Sequence, residues 1–367
     1  MRNQALVLAT TMAFFASACA ARPSAPAAIV DEPSQEVAAA EQAPVGAVVI
    51  EPSMPSVVAA PPATTAEPAP AVGAPGSRAD VASVSHVWQS LNNCGPASVV
   101  MALAAFGISV SQEAARLSLR GPDIRRGMPS ANVDPWVREQ FGLRAIARTN
   151  GTNDLMKRLV TNGFTPIVTQ WLEDPSRIAH DRLVRGYDDS LSAFLVNDPM
   201  RGAAVPLSYS WFATNWQTFN YGYFVIYRPE DEPVLRAIIG DEWNDRRMRE
   251  RMYERAKVEA RDQDSAAASL FYGEAAYRFG MFAEAVAAFE AGTARGSPAG
   301  VFTVRSSYPL ALRALGRDTD SDEAVRRLAN TSPTPFDRPA AIDALALTLA
   351  AERAAAAIPP TTVIPSE

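Results

Sequence analysis

The sequence predicts an α+β domain followed by a small all-α region. Aromatic residues lie almost wholly after residue 84, so a core is expected only beyond that point. Apolar helical runs precede a group of β-branched strands, and a charged stretch then leads into Ala-rich helical segments. The formal net charge of −6 gives no broad basic surface, so we assign no nucleic-acid partner.

Composition divides the chain into segments with different expected behaviour. The predicted segments are 1–18, a secretory signal; 19–80, a lipidated N terminus and disordered Ala/Pro-rich tether; 81–229, the α+β domain; 230–264, a charged connecting helix; 265–356, a helical-repeat-like segment; and 357–367, a disordered tail.

The first residues predict export. Arg2 gives a positive end, an apolar stretch follows, and small residues at 16–18 precede Cys19, which is typical of a secretory signal. Small residues directly before a cysteine resemble a bacterial lipobox, which implies lipidation of Cys19 and, with Ala20 in second place, an outer-membrane location. The alternative is ordinary cleavage, which would leave a periplasmic or secreted protein. We therefore expect a bacterial cell-envelope protein, with a lipid anchor as its membrane partner.

Within the α+β domain, periodicity predicts helices first and strands after them. Ser109 and Gln112 have capping-box spacing, which predicts a helix start near Ser109. The other expected helices cover 97–106, 131–141 and 154–162, and the expected strands cover 165–171, 183–187, 193–196 and 221–227.

Cys94 is the candidate nucleophile. It precedes Gly-Pro and an apolar run, so it is expected at the N terminus of a buried helix with Pro96 in the first turn. A helix N terminus and a nearby imidazolium stabilise a thiolate and lower the thiol pKa from about 8.5. The only other cysteine is Cys19, so an exported, processed chain has no disulfide partner for Cys94.

A cysteine nucleophile needs a base, and the chain has only two histidines, His86 and His180. His86 is too close to Cys94 in sequence, whereas His180 opens a predicted strand, so we predict His180 as the base and His86 as a solvent or structural residue. No cofactor or metal is expected, because these residues lack liganding spacing.

Three sequence blocks carry a resemblance to a known family. They are Gln89-Ser-Leu-Asn-Asn-Cys94-Gly-Pro-Ala-Ser98, His180-Asp-Arg-Leu-Val-Arg-Gly186-Tyr-Asp-Asp189 and Phe194-Leu-Val-Asn-Asp198-Pro199. In this order and spacing they resemble the double-glycine-leader, bacteriocin-processing peptidases and their stand-alone relatives (peptidase family C-39-like), within the papain superfamily. The resemblance covers about residues 84–227 and implies a papain-like fold.

The resemblance implies the catalytic roles. Cys94 would be the nucleophile, His180 the general base, Asp198 the residue that orients His180, and Gln89 an oxyanion-hole donor with the Cys94 backbone amide. Asn-Asp-Pro is also a plain turn sequence, so Asp188 or Asp189 stays an alternative orienting residue. Gln89 has the alternative of an ordinary loop glutamine.

Several other residues have open interpretations. Arg182 and Arg185 lie where the family is usually apolar; they either expose basic groups near the cleft or are solvated at a strand edge. Four aromatic residues either line a substrate groove or belong to the core: Trp171, Trp211, Trp216 and Tyr223.

Residues 266–298 resemble one tetratricopeptide repeat. The residues that carry this likeness are Gly273, Gly280, Phe282, Ala285 and Phe289. A looser copy covers 302–330, with an insertion expected around 317–321. The segment would offer a docking surface to a protein partner, or it is a plain helical hairpin that covers the catalytic domain.

The sequence thus predicts an exported, lipid-anchored cysteine peptidase that hydrolyses peptide bonds of a peptide or protein substrate through an acyl-enzyme. Two alternatives stay open. One is a catalytically silent scaffold of the same fold in the cell envelope. The other is a transpeptidase or amidase, in which an amine takes the acyl group or the substrate is a nonpeptide amide.

Overall fold

In the computed structural model of the chain, the described residues are 71–122, 127–173, 178–296 and 302–331. Within them, an α+β domain is followed by a helical region, so the predicted fold class is confirmed. The predictions for the secretory signal, for lipidation of Cys19, for most of the tether and for the C-terminal tail fall outside the described residues.

The domain is built on one antiparallel sheet that has seven described strands. They are β1 (Arg78–Asp80), β2 (Arg144–Arg148), β3 (Ile167–Trp171), β4 (Ala179–Asp188), β5 (Ala193–Asp198), β6 (Gly202–Ser208) and β7 (Tyr223–Tyr227). The order is β2-β7-β3-β4-β5-β6, and β1 pairs with β4. β4 and β5 are therefore neighbours, which brings the second and third sequence blocks together.

Helices cover both faces of the sheet. They are α1 (Cys94–Ala104), α2 (Gln112–Arg120), α3 (Val133–Phe141), α4 (Asn153–Thr161), α5 (Tyr209–Gln217), α6 (Glu232–Ile239), α7 (Asp245–Asp262), α8 (Ala266–Phe279), α9 (Phe282–Ala294), α10 (Phe302–Ala314) and α11 (Asp318–Thr331). Because strand side chains alternate between faces, Leu183 packs in the core beneath α1–α3. Its neighbour Val184 packs in the core on the opposite face.

α1 carries Cys94 as its first residue and is buried along almost its whole length. The run from Gly95 to Leu103 is apolar or small, so every side of the helix can be covered by protein. It packs against β4. The helix thereby presents the Cys94 sulfur to the first residues of that strand.

Some elements differ from the sequence-based predictions. The predicted tether extended to residue 80, but Arg78–Asp80 form β1 and pair with the far end of β4. The helix expected near Ser109 begins after Ser111, whose hydroxyl accepts from the Ala114 amide. Residues 230–264 form α6 and α7 with a 3-10 turn between them rather than one connecting helix.

The helical region packs directly on the α+β domain and shares its core. Phe271 of α8 meets Tyr221 with ring centroids 5.1 Å apart, and Arg255 of α7 donates to the carbonyl of Gly151 at 2.9 Å. α11 begins at Asp318, within the stretch 317–321 where an insertion was expected. The tetratricopeptide likeness of this region stays a prediction. In the described residues no helix is both long and apolar enough to span a bilayer.

We expect Gly273→Ala to destabilise the helical region. A Cβ at Gly273 would lie 2.7 Å from a ring atom of Phe289, and such overpacking costs about 1–3 kcal/mol, more than the roughly 1 kcal/mol that alanine gains over glycine in a helix. Denaturant unfolding measures the net loss. The matched control is Gly76→Ala, where nothing lies within 4 Å. Gly273→Ala as stable as wild type would contradict this packing.

Candidate active site

A short loop anchored by Gln112 leads into Cys94. The Gln112 side-chain oxygen accepts from the Ser90 amide at 2.8 Å and from the Asn93 side chain at 2.6 Å, and its amide donates to the Trp88 carbonyl at 2.9 Å. Asn92 has a φ of 52°, a left-handed conformation that asparagine tolerates. Gln112, predicted only as a capping residue, therefore fixes the chain that carries Gln89 to Cys94.

His180 and Asp198 form a buried pair. His180 is the second residue of β4 and Asp198 ends β5. Nε2 of His180 lies 2.8 Å from Oδ1 of Asp198, and the two side chains are 1% and 0% exposed. The structure thus brings together the predicted base and the predicted orienting residue. Asp188 and Asp189, the alternatives, are engaged elsewhere, with Ser190 and Lys157.

The surroundings of Asp198 favour its ionised form. Oδ1 also accepts from the amides of Met200 and Arg201, at 2.8 and 3.1 Å. Burial raises the pKa of Asp198, but the hydrogen bond from His180, together with the charges of His180 and Arg182, outweighs burial and holds that pKa well below its usual range. An ionised Asp198 can only accept, so the Nε2 of His180 must carry the proton in this pair.

Arg182 completes this cluster, and both predictions for its environment are wrong. It is fully buried, and its Nε donates to Oδ2 of Asp198 at 2.8 Å. Its other nitrogens donate to the carbonyls of Trp171 and Leu172, so the charge is both paired and hydrogen-bonded, as burial requires. Burial lowers the pKa of Arg182, and Asp198 opposes that shift. Arg185 forms a two-pronged ion pair with Asp80 of β1, and its side chain is partly exposed.

The Cys94 sulfur faces a carboxylate that the sequence analysis did not single out. Sγ lies 4.0 Å from Oδ2 of Asp181, while the other oxygen, Oδ1, accepts from the Thr169 hydroxyl at 2.6 Å. Burial and the charge of Asp181 raise the pKa of the Cys94 thiol to about 12, against the lowering effect of backbone amides at the helix start. The expected low thiol pKa is therefore not found in this arrangement.

Gln89 and His86 both reach the Asp198 loop. The backbone amide of Gln89 donates to the Pro199 carbonyl at 2.9 Å. The side-chain oxygen of Gln89 is buried with no hydrogen-bond partner among the described residues. His86 Nε2 lies 2.9 Å from the Asp198 carbonyl oxygen and packs edge-on against Trp88. One segment distant in sequence from Asp198 thus contacts the backbone of both Asp198 and Pro199.

Of the four aromatic residues that could line a groove, two are buried core residues and two pack against other side chains of the domain. Trp216 and Tyr223 are buried core residues, 0% and 3% exposed. Trp171 packs against Phe219, with ring centroids 4.8 Å apart, and the guanidinium carbon of Arg182 lies 5.3 Å from the centroid of the Trp211 ring.

In the described ranges, no three His, Cys, Asp or Glu side chains group together as a metal site would require.

An α+β domain with a cysteine opening its buried helix and a His–Asp pair on adjacent strands has the general layout of a thiol hydrolase. Residues 81–223 match the model of the Peptidase_C39 like family. This part of the chain is therefore a Peptidase C39-like domain, and the helical region follows it. A search of curated proteins finds no match for the chain.

Solved structures similar to this chain include three peptidases or peptidase domains. A protein described as a C39-like peptidase from Bacillus anthracis is 13% identical, with a TM-score of 0.36, over 42% of this chain and 98% of its own. A double glycine motif protease from an AMS/PCAT transporter, in complex with the leader peptide, is 22% identical, with a TM-score of 0.33, over 42% of this chain and 97% of its own. The peptidase domain of Streptococcus ComA, a bi-functional ABC transporter involved in quorum sensing, is 16% identical, with a TM-score of 0.33, over 40% of this chain and 98% of its own.

Proposed function

We propose that this chain is an exported cysteine peptidase that hydrolyses amide bonds of a peptide or protein substrate. The observation that carries the proposal is the buried contact of 2.8 Å between His180 and Asp198, beside a helix that opens with Cys94. The match of residues 81–223 to a peptidase family supports it.

The mechanism follows from the proton positions. Asp198 accepts the Nε2 proton of His180, so Nδ1 keeps its lone pair and acts as the base. Nδ1 takes the Cys94 thiol proton as sulfur attacks the carbonyl carbon, and then gives that proton to the leaving amine. The resulting thioester is hydrolysed by water, which His180 activates in the same way. Gln89 and the Cys94 backbone amide would stabilise the oxyanion.

The raised pKa of Cys94 fits proton transfer during attack rather than a thiolate present beforehand. We therefore expect labelling of Cys94 to rise toward high pH rather than to level off at a low thiol pKa.

An activity-based electrophile tests the proposal on the purified full chain. Mass spectrometry would follow labelling of the Cys94 peptide in wild type, Cys94→Ala and His180→Ala, alongside turnover of a peptide library. Labelling confined to Cys94, together with cleavage that both substitutions abolish, supports a peptidase. Labelling no faster than that of a free cysteine, with no cleavage, would make the domain a silent scaffold. An acyl product formed with added amine would point to a transpeptidase.

The proposal extends to the parts of the chain that the family match does not cover. The signal-like residues before Cys19 support export and a lipid anchor, which acyl-chain labelling of wild type against Cys19→Ala would test. The repeat-like pattern around Gly273 and Phe289 supports a protein-docking role for the helical region. A pull-down from envelope extracts, with wild type compared against a chain whose exposed α8–α9 residues are substituted, would test that role.

We expect Gln89→Ala to lower kcat/KM by about 100- to 1,000-fold, because one oxyanion donor typically contributes that much. Peptide hydrolysis measures the loss. Gln140→Ala is the matched control, since Gln140 is exposed on α3 and its loss should leave kcat/KM within about twofold, since surface substitutions rarely matter. A Gln89→Ala enzyme with the activity of the control would reduce Gln89 to a loop residue.

A further inference from the structure

Asp181 sits where a negative charge works against a sulfur nucleophile. Its Oδ2 is 4.0 Å from Cys94 Sγ, and two further hydrogen bonds fix its position. Thr169, directly opposite on β3, donates to Oδ1 at 2.6 Å. The Asp181 carbonyl accepts from Ser98 of α1 at 3.3 Å.

Gly95 makes this contact possible. A Cβ at position 95 would lie 2.8 Å from Oδ2 of Asp181 and 2.9 Å from a side-chain carbon of Met128. Only a residue without a Cβ lets the start of α1 approach the carboxylate so closely. The juxtaposition of Cys94 and Asp181 is thus built into the helix, the strand and the residue after the nucleophile.

We propose that Asp181 is a positioning residue that holds the Cys94 side chain through an Sγ–H donation to Oδ2 and keeps the sulfur protonated until substrate is bound. This rests on the proposed role of Cys94 as nucleophile. The carboxylate disfavours the thiolate by like-charge repulsion. The carboxylate therefore lowers the fraction of Cys94 that is ionised before attack, and the reaction depends on His180 to remove the thiol proton.

Among the described residues, the ionisable groups that act on Asp181 lie on β4 itself. His180 and Arg182 both favour the ionised form of Asp181, whereas burial, the largest influence, raises its pKa. Asp198 on β5 is paired with the same two residues. α1 contributes no ionisable side chain other than Cys94, and β3 contributes none. Asp181 is therefore the group whose removal should change Cys94 most directly.

The test is alkylation of Cys94 by iodoacetamide in the full chain, quantified by mass spectrometry of the Cys94 peptide so that Cys19 is counted separately. Rates are measured from pH 5 to 10 for wild type and Asp181→Asn. A like charge at this range shifts a pKa by about 1–3 units, and the lower basicity takes back about half of the logarithmic gain. We expect the rate near neutral pH to rise about 3- to 30-fold, with the alkaline rise of the profile beginning at a lower pH than in wild type.

Two further variants separate this role from a merely structural one. Thr169→Val removes the hydroxyl that favours the ionised carboxylate, so it should accelerate alkylation in the same direction but less. Asp188→Asn, at the far end of β4 and bonded to Ser190, should leave the profile unchanged. Thermal unfolding confirms that each variant is folded.

An Asp181→Asn profile that matches wild type in rate at every pH would overturn the proposal, as would slower alkylation with no shift of the profile toward lower pH. This outcome is distinct from failure of the proposed function, because alkylation does not require a peptide substrate. If Asp181→Asn changes the alkylation of Cys94 but the protein cleaves no peptide, the role of Asp181 stands and the proposed peptidase function is wrong.

Discussion

Replacing His180 with alanine is expected to lower kcat/KM by about 1,000-fold or more. General acid–base catalysis contributes about 100- to 10,000-fold, and the upper part of that range applies here because the Cys94 pKa of about 12 leaves almost no thiolate without a base. Hydrolysis measured from pH 5 to 10 should show the residual activity of His180→Ala rising toward high pH, where solvent begins to deprotonate the thiol.

His86→Ala is the matched control, because it removes the chain's other histidine. His86 contacts the Asp198 carbonyl but not the carboxylate, so its loss should lower kcat/KM by less than about tenfold, the effect of losing one modest hydrogen bond. Equal losses in both variants, or a greater loss in His86→Ala, would show that His180 is not the base.

Asp198→Ala is expected to destabilise the fold by about 3–5 kcal/mol. The substitution leaves Arg182, which is 0% exposed, as a buried charge without its partner, and breaking a buried pair in this way has a cost of that size. Urea unfolding at neutral pH measures the loss. Asp262→Ala is the control, because Asp262 is 56% exposed beside Arg261 and should change stability by less than about 0.5 kcal/mol.

The stability difference should also depend on pH. The folded-state pKa of Asp198 is lowered, so its contribution is fully present above the unfolded carboxyl pKa of about 3.9 and is lost as pH falls through the lower folded value. The gap between wild type and Asp198→Ala should therefore shrink below about pH 4. The double variant Asp198→Ala with Arg182→Met should recover part of the loss, and no recovery would contradict the pairing.

Much of the fold was predictable because its signals are local. The apolar run after Cys94, the Gly-Pro start and the β-branched strands each report their own structure. β2 and β6 were missed. β2 has a single β-branched residue, Ile146, between alanines and terminal arginines. β6 contains Pro206, which an edge strand tolerates because one side needs no ladder hydrogen bond. α5 was missed as well, because its start is marked only by Ser208 as an N-cap.

The site was predictable only in part. His180 and Asp198 were predicted as a pair from the sequence blocks that resemble the family. The structure places the two side chains within hydrogen-bonding distance. Asp181 and Arg182 are their neighbours in the chain, but strand alternation says only that they point to opposite faces. What each faces depends on the packing of α1 and on the register of β3 and β5. Arg182 stood out in the sequence as a charge in a usually apolar stretch, and the same signal applies to Asp181 beside it.

The pairing of β1 with β4 fixes where the preceding chain leaves the domain. Arg78 lies opposite Asp188, eight residues along β4 from His180, or about 26 Å at the usual rise per residue. Gly73 and Gly76 are held near that same end, by Asn162 and by the Tyr187 hydroxyl. The preceding chain therefore enters the domain at the end of β4 that is opposite the His180–Asp198 pair.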